Sequence, residues 1–414
     1  GDDFVAWCWK AGGNKNTFNV DDLGYANASD VNMSVGSLNS SSYNDDQTWS
    51  TYGSASGATW NPAVSNLFNN DLSVGPSLLA NNTGTWTFTS GITASKSIEI
   101  YTVNGSGPLG SQASDTYIRL TVDGTVHSIN CVAGWVDTGL TGSLTAITIH
   151  VAQSGSPGLR AIRVDGKELV DAGVTVTNVP TIPATGCSVG TKQGFSIIKY
   201  EANGSNGATV PHGLNQPVDL ILFKSLGRND NWRVYHSAVG HEKCLFLSTN
   251  GTPDDNASYF NDTAPTSSVF SLGTDTGVNT DDDDVIAYCW HDVPGLQKFG
   301  SFTGNNSTNG AFIELGFRPA LVWIKRTGST GHWFIIDNKR RYTFNPVDEY
   351  AFTDIGNVYD PTNGGPSGGI ADFLSNGIKL RENNAGANES DSYIYCAWAE
   401  APSFNLYGGQ SNAR

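Results

Sequence analysis

The stretch DDVIAYCWHDVPG, from Asp283 to Gly295, has two close echoes in the same chain. One is DDFVAWCWKAGG, from Asp2 to Gly13; the other is DSYIYCAWAEAPS, from Asp391 to Ser403. Each opens on one or two acids, continues through apolar residues to a tryptophan, and ends in turn-forming residues, the signature of a buried β-strand. Aligned on Trp9, Trp290 and Trp398, the copies also match at Phe4, Val285 and Tyr393, and at Val5, Ile286 and Ile394.

The residues ahead of the later two copies match as well. VDLILFKSLGRNDNWRVYHS precedes the second and ALVWIKRTGSTGHWFIIDN the third. In each an apolar run ends in lysine and a tryptophan follows eight residues later, Lys224 to Trp232 and Lys325 to Trp333. The period is 101 residues from Trp232 to Trp333 and 108 from Trp290 to Trp398. The extra seven residues belong in a loop, where added length costs little. A period near 100 is too long for a solenoid and suits a complete β-sandwich. DLILFK and ALVWIK read as central strands buried on both faces. NWRVYHS and HWFIIDN read as half-exposed partners, joined to them through hairpin loops at 227–230 and 328–331.

The expected fold is therefore all-β, with several β-sandwich domains. Two are related repeats of about 100 residues, at 194–295 and 296–414. Residues 1–12 form a strand belonging to a repeat sheet. It is either the last strand of a further repeat or an addition to the first full one. Residues 13–57, rich in Ser, Asn, Gly and Asp, read as an extended polar linker. Residues 58–175 read as an inserted jelly-roll-like sandwich. TWTFTS, KSIEIYTV, YIRLTVDGTVHSI, LTAITIHVA and LRAIRVDGKELV alternate with period two, and Asp123-Gly124 and Asp165-Gly166 are type I′ turn pairs. A short helix is expected at NPAVSNLFNND, and 176–193 reads as a proline-bearing connector.

Composition agrees with this reading and excludes several function classes. Glycine is 48 of 414 residues, charged residues are only 15%, and Met33 is the single methionine. A net charge of −16 opposes nucleic acid and anionic lipid. No apolar run reaches the roughly 20 residues of a membrane helix. The chain opens on Gly1 with no signal peptide, and is expected to be a piece of a longer polypeptide. The six cysteines (8, 131, 187, 244, 289 and 396) are widely spaced with no C-x-x-C pair, and are expected free and buried.

No catalytic constellation stands out, so no catalytic residue, cofactor or metal is assigned. The seven histidines form no metal-binding spacing, and there is no nucleophile elbow or phosphate loop. The acidic run Asp281, Asp282, Asp283 and Asp284 is a weak Ca²⁺ candidate whose plainer reading is a solvated turn. His236 and His332 read as partly exposed strand residues. Trp60 and Trp135, placed in loops of the middle module, are weak candidates for stacking on sugar rings. Asn27, Asn104, Asn261 and Asn388 head N-x-S/T triplets of the kind chance supplies in such a composition.

FVAWCWKAGG, GFSIIKYEANGSNGATVPHGL, WRVYHSAVG, NDTAPTSSVFSLG, VIAYCWHDVPGLQKFGSFTGN, GFRPALVWIKR and SYIYCAWAEAP resemble virion structural proteins of marine tailed bacteriophages, cyanophages included. The likeness covers the opening strand and the chain from about Gly194 onward. AIRVDGKELVDAGV is similar to an insertion in the same proteins. The resemblance implies a tail-fibre-like or tail-associated protein, assembled in the host cytoplasm and working on the particle. Its partners would be other virion proteins and a host-surface glycan or receptor, bound without cleavage by a homo-oligomer, a trimer being the common fibre arrangement. Alternatives are a capsid decoration or other purely structural virion protein, and a secreted adhesin or polysaccharide-processing enzyme.

Overall fold

The structure, a computed structural model, describes residues 5–28, 31, 43–44, 47–60, 63–76, 78, 82–103, 117–130, 132–151, 158–174, 180–340, 345–354, 358–359, 369–383 and 386–402. It is nearly all β, in several separate sheets, with one α-helical turn among the described residues, at Thr276–Asn279, capped by the Asp275 side chain. The chain divides into two compact units. One comprises Gly1–Ala28, Val35–Asn39 and Asn178–Arg414; the other comprises Ser29–Ser34 and Ser40–Thr177.

The larger unit holds a nine-stranded sheet. Its order is Asp254–Asp255, Lys243–Phe246, Arg233–His236, Leu220–Ser225, Asp284–Trp290, Phe195–Glu201, Ala184–Gly190, Phe18–Val20 and Leu23–Tyr25. A six-stranded sheet repeats the middle of that order. It runs Gln297–Thr303, Ser392–Ala399, Pro319–Arg326, Trp333–Asp337, Tyr350–Phe352 and Val358–Tyr359. The registers correspond: Lys224 pairs with Ile286, and Lys325 with Ile394. Each main sheet has a smaller companion, Ala208–Pro211 with Val269–Leu272 in the first case and Phe312–Glu314, Gly377–Leu380 and Ala371–Leu374 in the second.

Alternation along the central strands sends side chains to two different cores. Leu220, Leu222, Leu321 and Trp323 enter one apolar cluster with Trp290, Trp333 and Trp398, shared by both main sheets. Their neighbours point the other way. Phe223 meets Phe270 of the first companion sheet, ring centroids 5.3 Å apart, and Val322 and Ile324 join Phe373, Ile378 and Leu380 of the second. Both faces of the central strands of the main sheets are thus covered. That is why Arg233–His236 is buried throughout and Trp333–Asp337 at all but one position, where half-exposed strands were expected. The same layering buries His236, which was expected to be partly exposed.

The opening copy behaves differently from its echoes. Residues 5–10, the described part of the stretch read as a repeat strand, form no ladder within this chain. The outer edge of Phe195–Glu201, where they would add to the first repeat, is held by Ala184–Gly190, which pairs in parallel with Phe18–Val20. Two stretches read as connectors therefore contain strands. Phe18–Val20 is buried at all three positions and turns back through Asp21 and Asp22, with φ of +47° and +68°. Thr191 fixes that turn by donating to the Asp21 carboxylate from its amide and its hydroxyl, at 2.9 and 2.6 Å. Gly53–Gly57, also within the expected linker, pairs with Asn82–Ala94 of the smaller unit.

Cys187, Cys244, Cys289 and Cys396 are free and buried, but Cys8 is exposed, against expectation, and Cys131 lies outside the described residues. Burial pushes the Cys187 and Cys244 thiols up, to about 11 and about 12, so both stay protonated and inert near neutrality.

The smaller unit faces one five-stranded sheet with another. Trp86, Phe88, Ile118, Leu120, Ile147 and Ile149 from the first meet Ile98, Ile100, Ile162 and Leu169 from the second in a common core. Asp123-Gly124 and Asp165-Gly166 take positive φ at both positions, as type I′ turns require. Within the stretch read as a helix stands one 3-10 turn, Val64–Leu67.

Candidate functional site

On the sheet containing Ile98–Thr102 and Leu159–Val164, alternate residues point away from the smaller unit's core, and their chemistry changes abruptly. Glu99 and Tyr101 lie between the core residues Ile98, Ile100 and Thr102. Cross-strand pairing sets Glu99 beside Asp137 on one side and Arg163 on the other, with Glu168 next to Arg163. One step along, Tyr101 pairs with Trp135. The result is an aromatic pair next to a row of carboxylates around one guanidinium.

The Arg163 guanidinium lies over the Trp135 ring, 3.4 Å from its centroid, and Tyr101 meets the ring edge-on at 5.4 Å. Arg163 also approaches Glu99 at 3.6 Å. Glu99, Arg163 and Glu168 are buried, Tyr101 and Trp135 half-buried, and Asp137 exposed. Burial pushes the Glu99 carboxyl up, and Asp137 adds to the shift, against the pull of Arg163. Burial raises Glu168 further, to about 7, with Arg163 again opposing. Its Oε1 accepts no hydrogen bond from the described residues. A carboxyl in that state can donate as well as accept hydrogen bonds near neutral pH.

Glu168→Gln tests this environment. The ordinary glutamate in the unfolded chain ionises as pH rises above about 4.5, while the folded one resists until about 7. Stability therefore falls across that window as pH rises. The substitution is expected to raise the smaller unit's stability at pH 8 by on the order of 2 kcal/mol and to change little at pH 4.5. Thermal melts at the two pH values check it.

The residues singled out from the sequence are dispersed. Trp135 sits in this strip. Trp60 is 8% exposed and part of the smaller unit's core, beside a shallow concavity of about 370 Å³ lined with alanines, Thr59 and Val64. It therefore lacks the exposed loop setting that stacking on a sugar requires. The four aspartates diverge. Asp283 is buried and accepts from Ser225 Oγ at 2.6 Å, Asp284 pairs outward with Lys199 at 2.7 Å, and Asp281 and Asp282 are exposed. Among the described residues no group of three or more His, Cys, Asp or Glu is placed to hold a metal ion.

The repeat lysines also differ. Lys224 Nζ donates to the carbonyls of Arg228 and Asp230, at 3.3 and 2.6 Å. Lys325 is fully buried and donates to Arg326 O at 2.8 Å, and burial lowers its amine to about 8 despite Asp354. Sequence reasoning missed Glu99, Tyr101, Arg163 and Glu168. Their signal lay in the period of KSIEIYTV and LRAIRVDGKELV, where they occupy the positions opposite the isoleucines and valines.

Sheets in matching order, sharing one tryptophan-rich core, define a repetitive β-protein. Residues 169–402, more than half the chain, match a family described as a domain of unknown function (DUF7483), and the chain belongs to that family. No curated protein matches. A cryo-EM structure of the arabinofuranosyltransferase AftD from Mycobacteria covers 85% of this chain and 35% of its own, at 10% identity and a TM-score of 0.21. A score that low carries no argument about fold or function.

Proposed function

We propose that this chain is a non-catalytic virion structural protein of a tailed bacteriophage, a tail fibre or tail-associated part that attaches to a host-surface glycan. Its larger unit is a pair of related β-sandwiches acting as scaffold, and its smaller unit is an inserted jelly-roll-like sandwich that makes the contact. The observation that carries this reading is the strip Trp135, Tyr101, Arg163, Glu99 and Asp137. The half-buried Tyr101 and Trp135 rings supply a stacking surface for the C–H faces of a sugar, and the exposed Asp137 carboxylate an acceptor for its hydroxyls. Buried Arg163 packs on the Trp135 ring, and buried Glu99 pairs across to Asp137. Avidity in a homotrimer multiplies a weak single-site affinity. The other partners are further virion proteins.

Retention of the purified protein on host lipopolysaccharide or capsule tests attachment, with an unrelated fibre protein as positive control. Trp135→Ala is expected to weaken retention about tenfold or more while leaving the melting temperature of the larger unit unchanged. No retention of the parent chain where the control is retained overturns the attachment reading and favours a purely structural virion role. Release of reducing ends from the polysaccharide would favour an enzyme.

A further inference from the structure

Residues 2–9, DDFVAWCW, match residues 283–290, DDVIAYCW, at five of eight positions, including Ala6 with Ala287, Cys8 with Cys289 and Trp9 with Trp290. The rings of Trp9, Trp290 and Trp398 meet pairwise, with centroids 6.0, 5.3 and 6.2 Å apart and interplanar angles of 73°, 69° and 68°. Three equivalent tryptophans thus form a nearly three-fold cluster, and Trp9 takes the place a third repeat would fill.

The other side of the strand breaks the equivalence. In the two complete copies the alternate residues point into their own sandwich, and Ala287, Cys289 and Ala397 are fully buried. In residues 5–10 burial alternates with the same period, but Ala6 and Cys8 are exposed and no strand pairs on either side. Small residues of core type sit in water where their counterparts sit in a core. Each sandwich of this chain already contains its own tryptophan strand, Asp284–Trp290 or Ser392–Ala399, so neither has a vacant place for a third.

We infer that residues 5–9 belong to the final strand of a third sandwich of the same kind, carried on the same polypeptide and completing a three-fold arrangement about the tryptophan cluster. Chain order supports a source in the same polypeptide, since in both complete copies the body of the sandwich immediately precedes its tryptophan strand. The inference does not depend on glycan attachment.

Thiol labelling with a maleimide, read by peptide mass, tests it. In the 414-residue chain Cys8 is expected to react rapidly, and Cys8→Ser to abolish that phase. In the polypeptide as its source makes it, intact mass is expected to exceed this chain by at least one sandwich of about 100 residues. Cys8 there is expected to label on the order of 100-fold more slowly. Cys8→Arg provides a second measurement. It should leave the melting temperature of the 414-residue chain unchanged and lower that of the longer polypeptide. A source polypeptide that begins at Gly1, or a longer one in which Cys8 labels as fast as here and tolerates arginine, overturns the inference.

Discussion

Replacing Trp398 with alanine is expected to lower the unfolding free energy of the larger unit by about 3–5 kcal/mol. The ring is 6% exposed and touches Trp9, Trp290, Trp323 and Phe299, at centroid distances of 5.3, 6.2, 5.4 and 5.8 Å. These neighbours come from both main sheets and the opening segment, so the cavity cannot close by moving one strand. Burial of the side chain and loss of its edge-to-face contacts both contribute. Trp232→Ala serves as a control. Trp232 lies at the margin of the same cluster, stacked on Tyr288 at 6.1 Å, and its loss should cost less. Urea titrations followed by near-ultraviolet circular dichroism decide the matter. A Trp398→Ala effect below about 1 kcal/mol would mean that the two main sheets do not share a packed core.

Acid is the second large effect. His212 and His236 are fully buried and make the same pattern of bonds. Nδ1 accepts from the amide two residues on (Leu214 at 3.2 Å, Ala238 at 3.1 Å), and Nε2 donates to a carbonyl (Thr266 at 3.1 Å, Tyr395 at 3.2 Å). Both rings are therefore neutral, and a second proton would destroy the Nδ1 acceptor. Burial lowers each to about 4 from an ordinary 6.5. Below 6.5 the unfolded chain takes up protons that the folded chain refuses, so stability is full above that pH and falls as pH drops towards 4. From pH 7 to pH 4 each histidine is expected to cost the larger unit on the order of 3 kcal/mol. His236→Gln, which preserves a donor and an acceptor, should flatten the acid limb by about half. An unchanged acid limb in the double variant with His212→Gln would show that these rings do not control it. Because the His236 bond to Tyr395 joins the two main sheets, its protonation acts where they meet. Glu168 has the opposite sign, its burden lightening as pH falls, so the smaller unit gains from that group across part of the same range.

Much of the larger unit was legible in the sequence because its strongest signals are local. The lysine strands occupy the centres of their sheets, and the tryptophan strands pair with them in equivalent register. Asp123-Gly124 and Asp165-Gly166 turn as written, since few other dipeptides accept positive φ twice. Phe18–Val20 went unread for the converse reason. Three apolar or amide residues inside a polar stretch carry little periodicity, and the Asp21-Asp22 turn lacks the glycine that usually marks such a hairpin. The candidate strip was half legible. Trp135 is conspicuous as a residue type, but Glu99, Arg163 and Glu168 acquire meaning only when three strands, Ile98–Thr102, Leu159–Val164 and Lys167–Leu169, lie side by side.

By itself the sequence determined the strongly alternating strands, the Asp-Gly turns and the kinship of the lysine–tryptophan segments, because side-chain alternation and backbone φ are properties of neighbouring residues. Tertiary structure alone decided which surfaces those strands would bury. Whether RVYH, Arg233–His236, is half in water or wholly enclosed depends on a second sheet arriving from about a hundred residues away. The same holds for Cys8 and Cys289, identical in type and setting along the chain, one in solvent and the other in a core. Burial is a relation between distant segments, and no local pattern encodes the partner.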